Sequence, residues 1–113
     1  MSCLATPNLN LLVKRVDRTI AQCRRFEEMA HLVSPWMVRW PTPDLASWLN
    51  DEALPLYERE LALVALVFKG DALASAVIDD YELVAGEVGG DHHLFCQVIK
   101  IEWQRRHCQR RAA

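Results

Sequence analysis

Residues of types that bind metal ions cluster near the start of the last predicted helix. Four of them can coordinate zinc: Asp91, His92, His93 and Cys96. A spacing of four places His92 and Cys96 on one helix face, but the chain offers no second paired cluster to complete a site. The pattern is more typical of a capping aspartate followed by two surface histidines. We therefore predict no metal and no other cofactor.

The carboxylates Asp79, Asp80 and Glu82 are close in sequence but do not indicate an acid–base site. Neighbours in a helix point in different directions, whereas general acid–base catalysis needs opposed, partly buried groups. The sequence also has no glycine-rich phosphate loop and no Ser or Cys in a local nucleophile motif. We predict that the protein is not an enzyme.

A four-residue pattern matches the spacing used by helix-turn-helix DNA-binding motifs, and it is carried by Ala85, Gly89, Phe95 and Val98. In this alternative the recognition helix begins at Asp91 and a basic tail follows it. The residues that would contact nucleic acid are His92, His93, Gln97, Lys100, Arg105, Arg106, Arg110 and Arg111. Against it, Gly90 occupies a usually apolar position, and the preceding helix is acidic enough to repel phosphate.

Charge is divided along the chain, although the net charge is only −2. Residues 1–43 contain six Lys/Arg against three acids, residues 44–91 eleven acids against two bases, and residues 92–113 five bases against one acid. The simpler interpretation is that these regions are solvated or pair with each other across the fold. The sharper one is that a charged region docks a partner.

Helices must position these residues, and the most distinctive one is predicted around residues 61–68, where all eight residues are apolar. The run extends a pattern that begins at Leu56, and Gly70 suits the left-handed residue just past a helix end. We predict a helix from about Leu56 to Lys69. Because a helix that is apolar all round must be enclosed, the other elements are expected to cover it.

A long amphipathic helix of about six turns is predicted to begin near Pro7 and Asn8. Its apolar residues recur at steps of mostly three and four: Leu9, Leu12, Val16, Ile20, Cys23, Phe26, Met29 or Ala30, and Val33. The predicted outer face carries Arg15, Arg18, Gln22 and Arg25. We expect the apolar stripe to face the core.

Three further helices complete the prediction. A short one begins with Thr42 as its hydroxyl cap. The next runs from about Ala72 to Glu87 with Asp71 as its cap, and the last follows the capping residue Asp91.

No segment shows the alternation of a strand, so the sequence predicts an all-α fold, a compact bundle of about five helices. Its 113 residues suit a single domain over residues 1–113, with frayed ends at 1–7 and 109–113. The four cysteines form no Cys-x-x-Cys pair and are expected to be reduced. No apolar run approaches the roughly 20 residues that span a bilayer, and no signal peptide is recognised. We expect a cytoplasmic protein with no membrane partner.

One helical hairpin is indicated by residues 65–76, where a helix ends in Gly70–Asp71 and the next begins with small residues. This segment resembles the crossing point of a tetratricopeptide hairpin. With Trp48–Leu49 upstream and residues 91–103 downstream, the layout over about residues 45–103 resembles the small tetratricopeptide-like chaperones of type III secretion systems. The resemblance implies an apolar groove between hairpins that receives a partner helix.

The segment 34–43 holds three prolines and two tryptophans, which either pack over the core or anchor a partner. The candidate partner-binding residues are Trp36, Trp40, Tyr57, Tyr81, Val84 and Trp103. We interpret the chain as a chaperone or adaptor that binds another protein, with a secretion-system or regulatory subunit as the client. DNA binding is the alternative, and broad apolar faces near both ends also make a homo-oligomer reasonable.

Overall fold

The computed structural model of the chain describes residues 5–33 and 35–108. The elements are α1 (Ala5–Val33), a 3₁₀ turn (Met37–Arg39), α2 (Thr42–Leu49), α3 (Leu56–Lys69), α4 (Ala72–Val88), α5 (Gly90–Trp103) and a π-helical turn (Gln104–Cys108). These described ranges contain no strand. The predicted all-α bundle of about five helices is confirmed. The frayed end expected at 109–113 lies outside the described residues.

The central helix is α3, with the bounds that the sequence predicts. Its residues 62–67 are each at most 1% exposed. Helices α1, α2, α4 and α5 all pack against it, so the expectation that the other elements enclose α3 is confirmed. Burying one large aliphatic side chain contributes about 1.5–3 kcal/mol, which makes this helix a major source of hydrophobic stabilisation.

The end of α3 is closed by Gly70, which adopts the left-handed conformation with φ 69°. The π-helical turn folds back onto this end, where His107 Nε2 lies 2.8 Å from the carbonyl oxygen of Val67. A Cβ atom at position 70 would lie only 2.6 Å from His107 Cε1. Glycine is therefore needed both for its backbone conformation and for the close approach of the imidazole.

Asp71 caps α4 as predicted, because its Oδ1 accepts a hydrogen bond of 2.6 Å from the Ala74 amide. Its Oδ2 accepts a second hydrogen bond, 3.0 Å long, from the Thr42 hydroxyl. The prediction that Thr42 caps its own helix is wrong, since α2 begins at Thr42 with Pro41 in the cap position. The Thr42 side chain instead ties the start of α2 to the start of α4.

Asp91 was also expected to be a cap, and this prediction is wrong. Helix α5 begins at Gly90, one residue before Asp91, and Gly89 occupies the cap position with φ 70°. Asp91 lies in the first turn and forms a 3.0 Å ion pair with Arg18 of α1. Two glycines that can adopt positive φ let α5 start before a side-chain cap is available.

Helix α1 turns a different face to the core from the one that its sequence suggests. Its buried residues are Gln22, Phe26, Met29 and Val33. The predicted stripe is exposed in its first half: Leu12, Val16 and Ile20 are 46–56% exposed, and Cys23 is exposed as well. At 100° per residue the two sets lie roughly 120° apart around the helix. The sequence pattern therefore combines two different helix faces, an exposed one before Cys23 and a buried one after it.

The same rotation corrects the predicted outer face of α1. Gln22 is only 4% exposed, and the Arg25 side chain is 34% exposed. Arg15 and Arg18 remain exposed as predicted. The helix also starts earlier than Pro7, at Ala5. Residues 10–20, which we call the projecting segment, are exposed on every face except at the half-buried Thr19.

Replacing Gly70 with alanine is expected to lower the free energy of unfolding by about 1–3 kcal/mol, because the left-handed backbone disfavours a Cβ and His107 must move. The matched control is Gly86→Ala in α4, where nothing lies within 4 Å of the added methyl group. That change should raise stability by about 0.5–1 kcal/mol. Urea unfolding followed by circular dichroism measures both, and equal midpoints for the two variants would contradict the assignment.

Candidate functional site

A buried polar network lies at the meeting point of α1, α3, α4 and α5. Its centre is Glu60 of α3, which is 2% exposed. Glu60 Oε1 forms an ion pair with Arg25 Nη2, and Arg25 Nη1 donates a 2.7 Å hydrogen bond to Gln22 Oε1. Glu60 Oε2 lies 2.9 Å from His92 Nδ1, and His92 Nε2 lies 2.7 Å from the Tyr81 hydroxyl. Each of the four helices thus supplies at least one member.

The hydrogen-bond directions in the network follow from its acceptors. An ionised carboxylate can only accept, so the Nδ1–H of His92 donates to Glu60. In the neutral imidazole Nε2 is then an acceptor, and the Tyr81 hydroxyl donates to it. The guanidinium of Arg25 also stacks over the Phe95 ring at 5.2 Å. Every polar group in this chain of bonds therefore has a partner of the right type, which a buried charge requires.

A carboxylate, an imidazole and a hydroxyl in line also occur in nucleophilic catalysis. Here, however, Glu60, His92 and Tyr81 are at most 5% exposed, so a substrate cannot approach the hydroxyl. Burial is the main cause that raises the pKa of Tyr81 above its ordinary value, against the lowering effect of the Arg59 guanidinium. The hydroxyl stays protonated at neutral pH. The arrangement joins helices rather than exposing a reactive group.

Cys96 lies beside this network and is 2% exposed. Burial, together with the carboxylates of Glu60 and Glu82, raises its pKa to about 12. Its predicted neighbour on the same helix face, His92, is already bonded to two side chains. Over the described residues, no three His, Cys, Asp or Glu side chains converge in a way that could hold a metal ion.

The structure places the nucleic-acid candidates in different environments. His92 was expected on the surface and is buried, because Glu60 and Tyr81 hold it; that expectation is wrong. His93 is half-buried and Gln97 is exposed. Lys100 Nζ lies 2.7 Å from Glu82 and 3.4 Å from Asp79. The hydrogen bond to Glu82 is the largest cause of a raised Lys100 pKa.

The basic tail is partly engaged within the fold. Arg105 and Arg106 lie 3.2 and 3.4 Å from the same carboxylate oxygen of Glu102. The Arg106 guanidinium also stacks over the Phe68 ring at 4.8 Å. Arg110 and Arg111 lie outside the described residues. Three of the predicted phosphate contacts, Lys100, Arg105 and Arg106, therefore already have acidic partners within the chain.

The partner-binding candidates are also distributed over the surface and the core. Trp36, Tyr57 and Val84 are 48–51% exposed, whereas Trp40 and Trp103 are half-buried against the core. Tyr81 was expected to line a groove, and this prediction is wrong, because Tyr81 is 2% exposed and bonded to His92. Trp40 lies edge-to-face between Trp36 and Trp48, with centroid distances of 5.2 and 5.4 Å. Packing accounts for Trp40, and Trp36 remains accessible.

One exposed apolar surface was missed because Leu12, Val16 and Ile20 were assigned to the core. It belongs to the projecting segment, where the exposed large side chains are Leu11 (65%), Leu12 (56%), Val13 (52%), Val16 (48%) and Ile20 (46%). Leu12, Val16 and Ile20 share one face of the helix with Val13. At 100° per residue, Arg15 lies at one edge of this face and Asp17 at the other, whereas Lys14 and Arg18 lie on the opposite side of the helix. The segment is both apolar and basic.

A second exposed apolar surface, which we call the outer face of α4, lies opposite the buried side of that helix. It comprises Leu73 (51%), Leu83 (77%) and Val84 (48%), together with the exposed Ala76 and Asp80. These residues fall within about 100° of each other around the helix. Asp80 lies near the middle of the face, so this surface is apolar and acidic.

Within the described ranges, none of the helices combines the length and the apolar character needed to cross a membrane. Comparisons with protein-family models, curated proteins and solved structures gave no significant match. The candidate site is therefore defined by the chain's own geometry, and the projecting segment is its most distinctive part.

Replacing Glu60 with alanine is expected to lower the free energy of unfolding by about 3–5 kcal/mol, since Arg25 and His92 lose their shared acceptor inside the protein. The control is Glu58→Ala, half a turn away and outside the network, with an expected change of about 0.5 kcal/mol or less. Urea unfolding measures both. A Glu60→Ala variant at least as stable as the wild type would instead indicate a strained functional site.

Cys96 is expected to resist alkylation in the folded protein. With its pKa raised to about 12, only about one thiol in 10⁴ is a thiolate at pH 8, and burial blocks the reagent as well. Cys23 is exposed and provides the internal comparison. Iodoacetamide labelling followed by peptide mass spectrometry should modify Cys23 in the native state and Cys96 only after denaturation. Equal labelling of both thiols in the native state would contradict the buried position.

Proposed function

We propose that the chain is a non-enzymatic protein-binding module, an adaptor or chaperone, and that the projecting segment of α1 is its docking element. The observation that carries the proposal is the exposure of five large apolar side chains on residues that have no buried face. Scattered apolar residues are normal on protein surfaces, but a contiguous set on one helix is typical of an interaction site.

The energetics of the segment also favour a partner. An isolated helix shorter than about 12–15 residues is marginal in water, and the projecting segment has few contacts with the core to support it. Burying one Leu, Val or Ile side chain contributes about 1.5–3 kcal/mol. A partner that covers Leu12, Val16 and Ile20 would stabilise the helix and gain affinity from the same contact.

The recognition mode that fits is a helix laid into an apolar groove or onto an apolar face, read through anchors at steps of three and four. Arg15 borders one edge of the stripe, three residues after Leu12, and an acidic group on the partner could pair with it. The partner would therefore be a protein with an apolar helical surface that carries a carboxylate at one edge.

The chaperone interpretation has additional support from the α3–α4 hairpin. The helices meet at a left-handed Gly70 and a capping Asp71, and Ala74 in the first turn of α4 is completely buried. These are the features on which the resemblance to type III secretion chaperones rests. On this proposal the protein acts in the cytoplasm, where it would bind a secretion-system or regulatory subunit.

The test is affinity capture from native, nuclease-treated lysate with the tagged wild type and with a Leu12→Asp/Val16→Asp double variant. We expect the wild type to retain a second protein through a high-salt wash, because the contact is mainly apolar. The double variant should lose at least about nine-tenths of it, since two carboxylates would be buried without partners.

The matched control is Leu32→Asp, at the other end of the same helix, where Leu32 is 51% exposed. It should retain the captured protein as the wild type does. Equal capture by the double variant and the wild type would refute the assignment of the docking element. Nucleic acid retained at low salt and lost at high salt, with nuclease omitted, would favour the DNA-binding alternative instead.

A further inference from the structure

We infer that the π-helical turn at the end of α5 is a latch with two states. In the closed state, which the structure shows, residues 104–108 form a π-helical turn docked on the end of α3. In the open state the same residues continue α5 as an ordinary α-helix and uncover the aromatic pair Phe26 and Phe68. The projecting segment takes no part in this latch, so the inference is independent of the proposed function.

The first observation is a change of helix type that the local sequence does not favour. Helix α5 is α-helical as far as Trp103, and the chain is π-helical from Gln104 to Cys108. Turns of the π type are rare and occur frequently at functional sites. Residues 104–108 contain no glycine or proline, and Gln and Arg are good α-helix formers. Contacts outside the turn must therefore hold it in the π form.

One set of such contacts is made by His107. A carbonyl can only accept, so His107 Nε2–H donates the 2.8 Å hydrogen bond to the Val67 oxygen near the end of α3. The imidazole lies so close to Gly70 that a Cβ atom there would be only 2.6 Å from Cε1. The His107 ring centroid is also 4.5 Å from that of Trp103. The closed state therefore has one defined position for this side chain.

The second set of contacts is made by Arg106. Its guanidinium lies 4.8 Å from the centroid of the Phe68 ring and 5.7 Å from that of Phe26. The two rings are stacked with their centroids 6.2 Å apart. Phe26 is 1% exposed and Phe68 is half-buried, so the guanidinium is part of the cover over this pair. Cation–π contacts are modest in strength, and losing them need not unfold the bundle.

Both sets of contacts depend on the π form of the turn. A π-helix has more residues per turn than an α-helix, so a change to the α form turns each successive side chain further around the axis. From Gln104 to His107 the difference accumulates to roughly 50°. This rotation carries the imidazole away from the Val67 oxygen and the Arg106 guanidinium away from the two rings. The latch must therefore release both side chains together.

The closed state leaves one polar group unsatisfied. Arg106 Nε is buried and lies 3.4 Å from Glu102 Oε1, but it forms no hydrogen bond with any residue of the described ranges. A buried N–H group without an acceptor opposes the closed state, whereas water can reach it in the open state. The closed state thus gains the docking of two side chains, and the open state gains the commoner helix form and a hydrated guanidinium. Opposing contributions of this kind place two conformations close in free energy.

The experiment follows the two docking contacts separately by nuclear magnetic resonance of the full chain. Nuclear Overhauser effects between the His107 ring and the Gly70 Hα atoms report one contact, and ring-current shifts of the Arg106 side chain report the other. The Phe68→Leu substitution removes only the cation–π contact, yet it should also weaken the His107–Gly70 signal. We expect the ratio of open to closed molecules to rise about threefold to tenfold.

A second variant tests the coupling in the opposite direction. Gly70→Ala displaces His107 and should also remove the ring-current shift of Arg106. The matched control is Gln104→Ala, an exposed position in the same turn, which should keep both contacts. Loss of both contacts in both variants supports the latch, provided that backbone carbon shifts over residues 104–108 remain helical and the α3 signals persist.

Three results would overturn the inference. A variant that loses only the contact it removes shows that the two side chains dock independently. Backbone carbon shifts of residues 104–108 that move to random-coil values indicate fraying of the helix end instead of a second helical state. The third test uses the wild type alone and does not depend on the folding of any variant. Native-state hydrogen exchange over residues 104–108 should open at lower urea concentration than exchange in α3, and identical urea dependence excludes a separate opening.

Discussion

The buried carboxylate of Glu60 is the constraint on which the rest of the arrangement depends. It lies on the central helix, so its charge must be compensated by the helices that enclose it. Helix α5 supplies His92, and α1 supplies Arg25 with Gln22 behind it. To do so, α1 must turn these polar residues inward. The described network engages α1 only from Gln22 onward, and residues 10–20 before it are exposed on every face except at Thr19, so the apolar stripe of the projecting segment lies beyond the core.

The sequence predicts the parts of the fold that local chemistry determines. The bounds of α3, the left-handed Gly70 and the capping Asp71 all follow from signals near each helix end, which can be read without knowing the tertiary packing. The face that α1 buries does not, because it depends on Glu60, 35 positions away from Arg25. One signal was available: Glu60 stands four and seven residues before Val64 and Val67, on the same helix face as two members of the all-apolar run 61–68. Its burial, and the need for partners, could have been inferred.

Part of the divided charge of the chain is paired within the fold where the structure describes it. Arg18 pairs with Asp91 across 73 positions, Arg25 with Glu60, and Lys100 with Asp79 and Glu82. The basic ends and the acidic middle thus hold each other together. The sequence could not assign these pairs, since charge counts give no information on which helices become neighbours. Arg15 and Asp80, beside the two apolar faces, are exposed and are not among these pairs.

The packing of α1 against α5 also has a consequence for the order of folding. The α3–α4 hairpin joins residues that are close in sequence, whereas the Arg18–Asp91 pair joins α1 and α5 across a separation of 73 positions. Contacts between distant positions form slowly, because a long loop must first be closed. Helix α1 is therefore among the last elements to reach its final place, and until then its apolar residues stay open to aggregation.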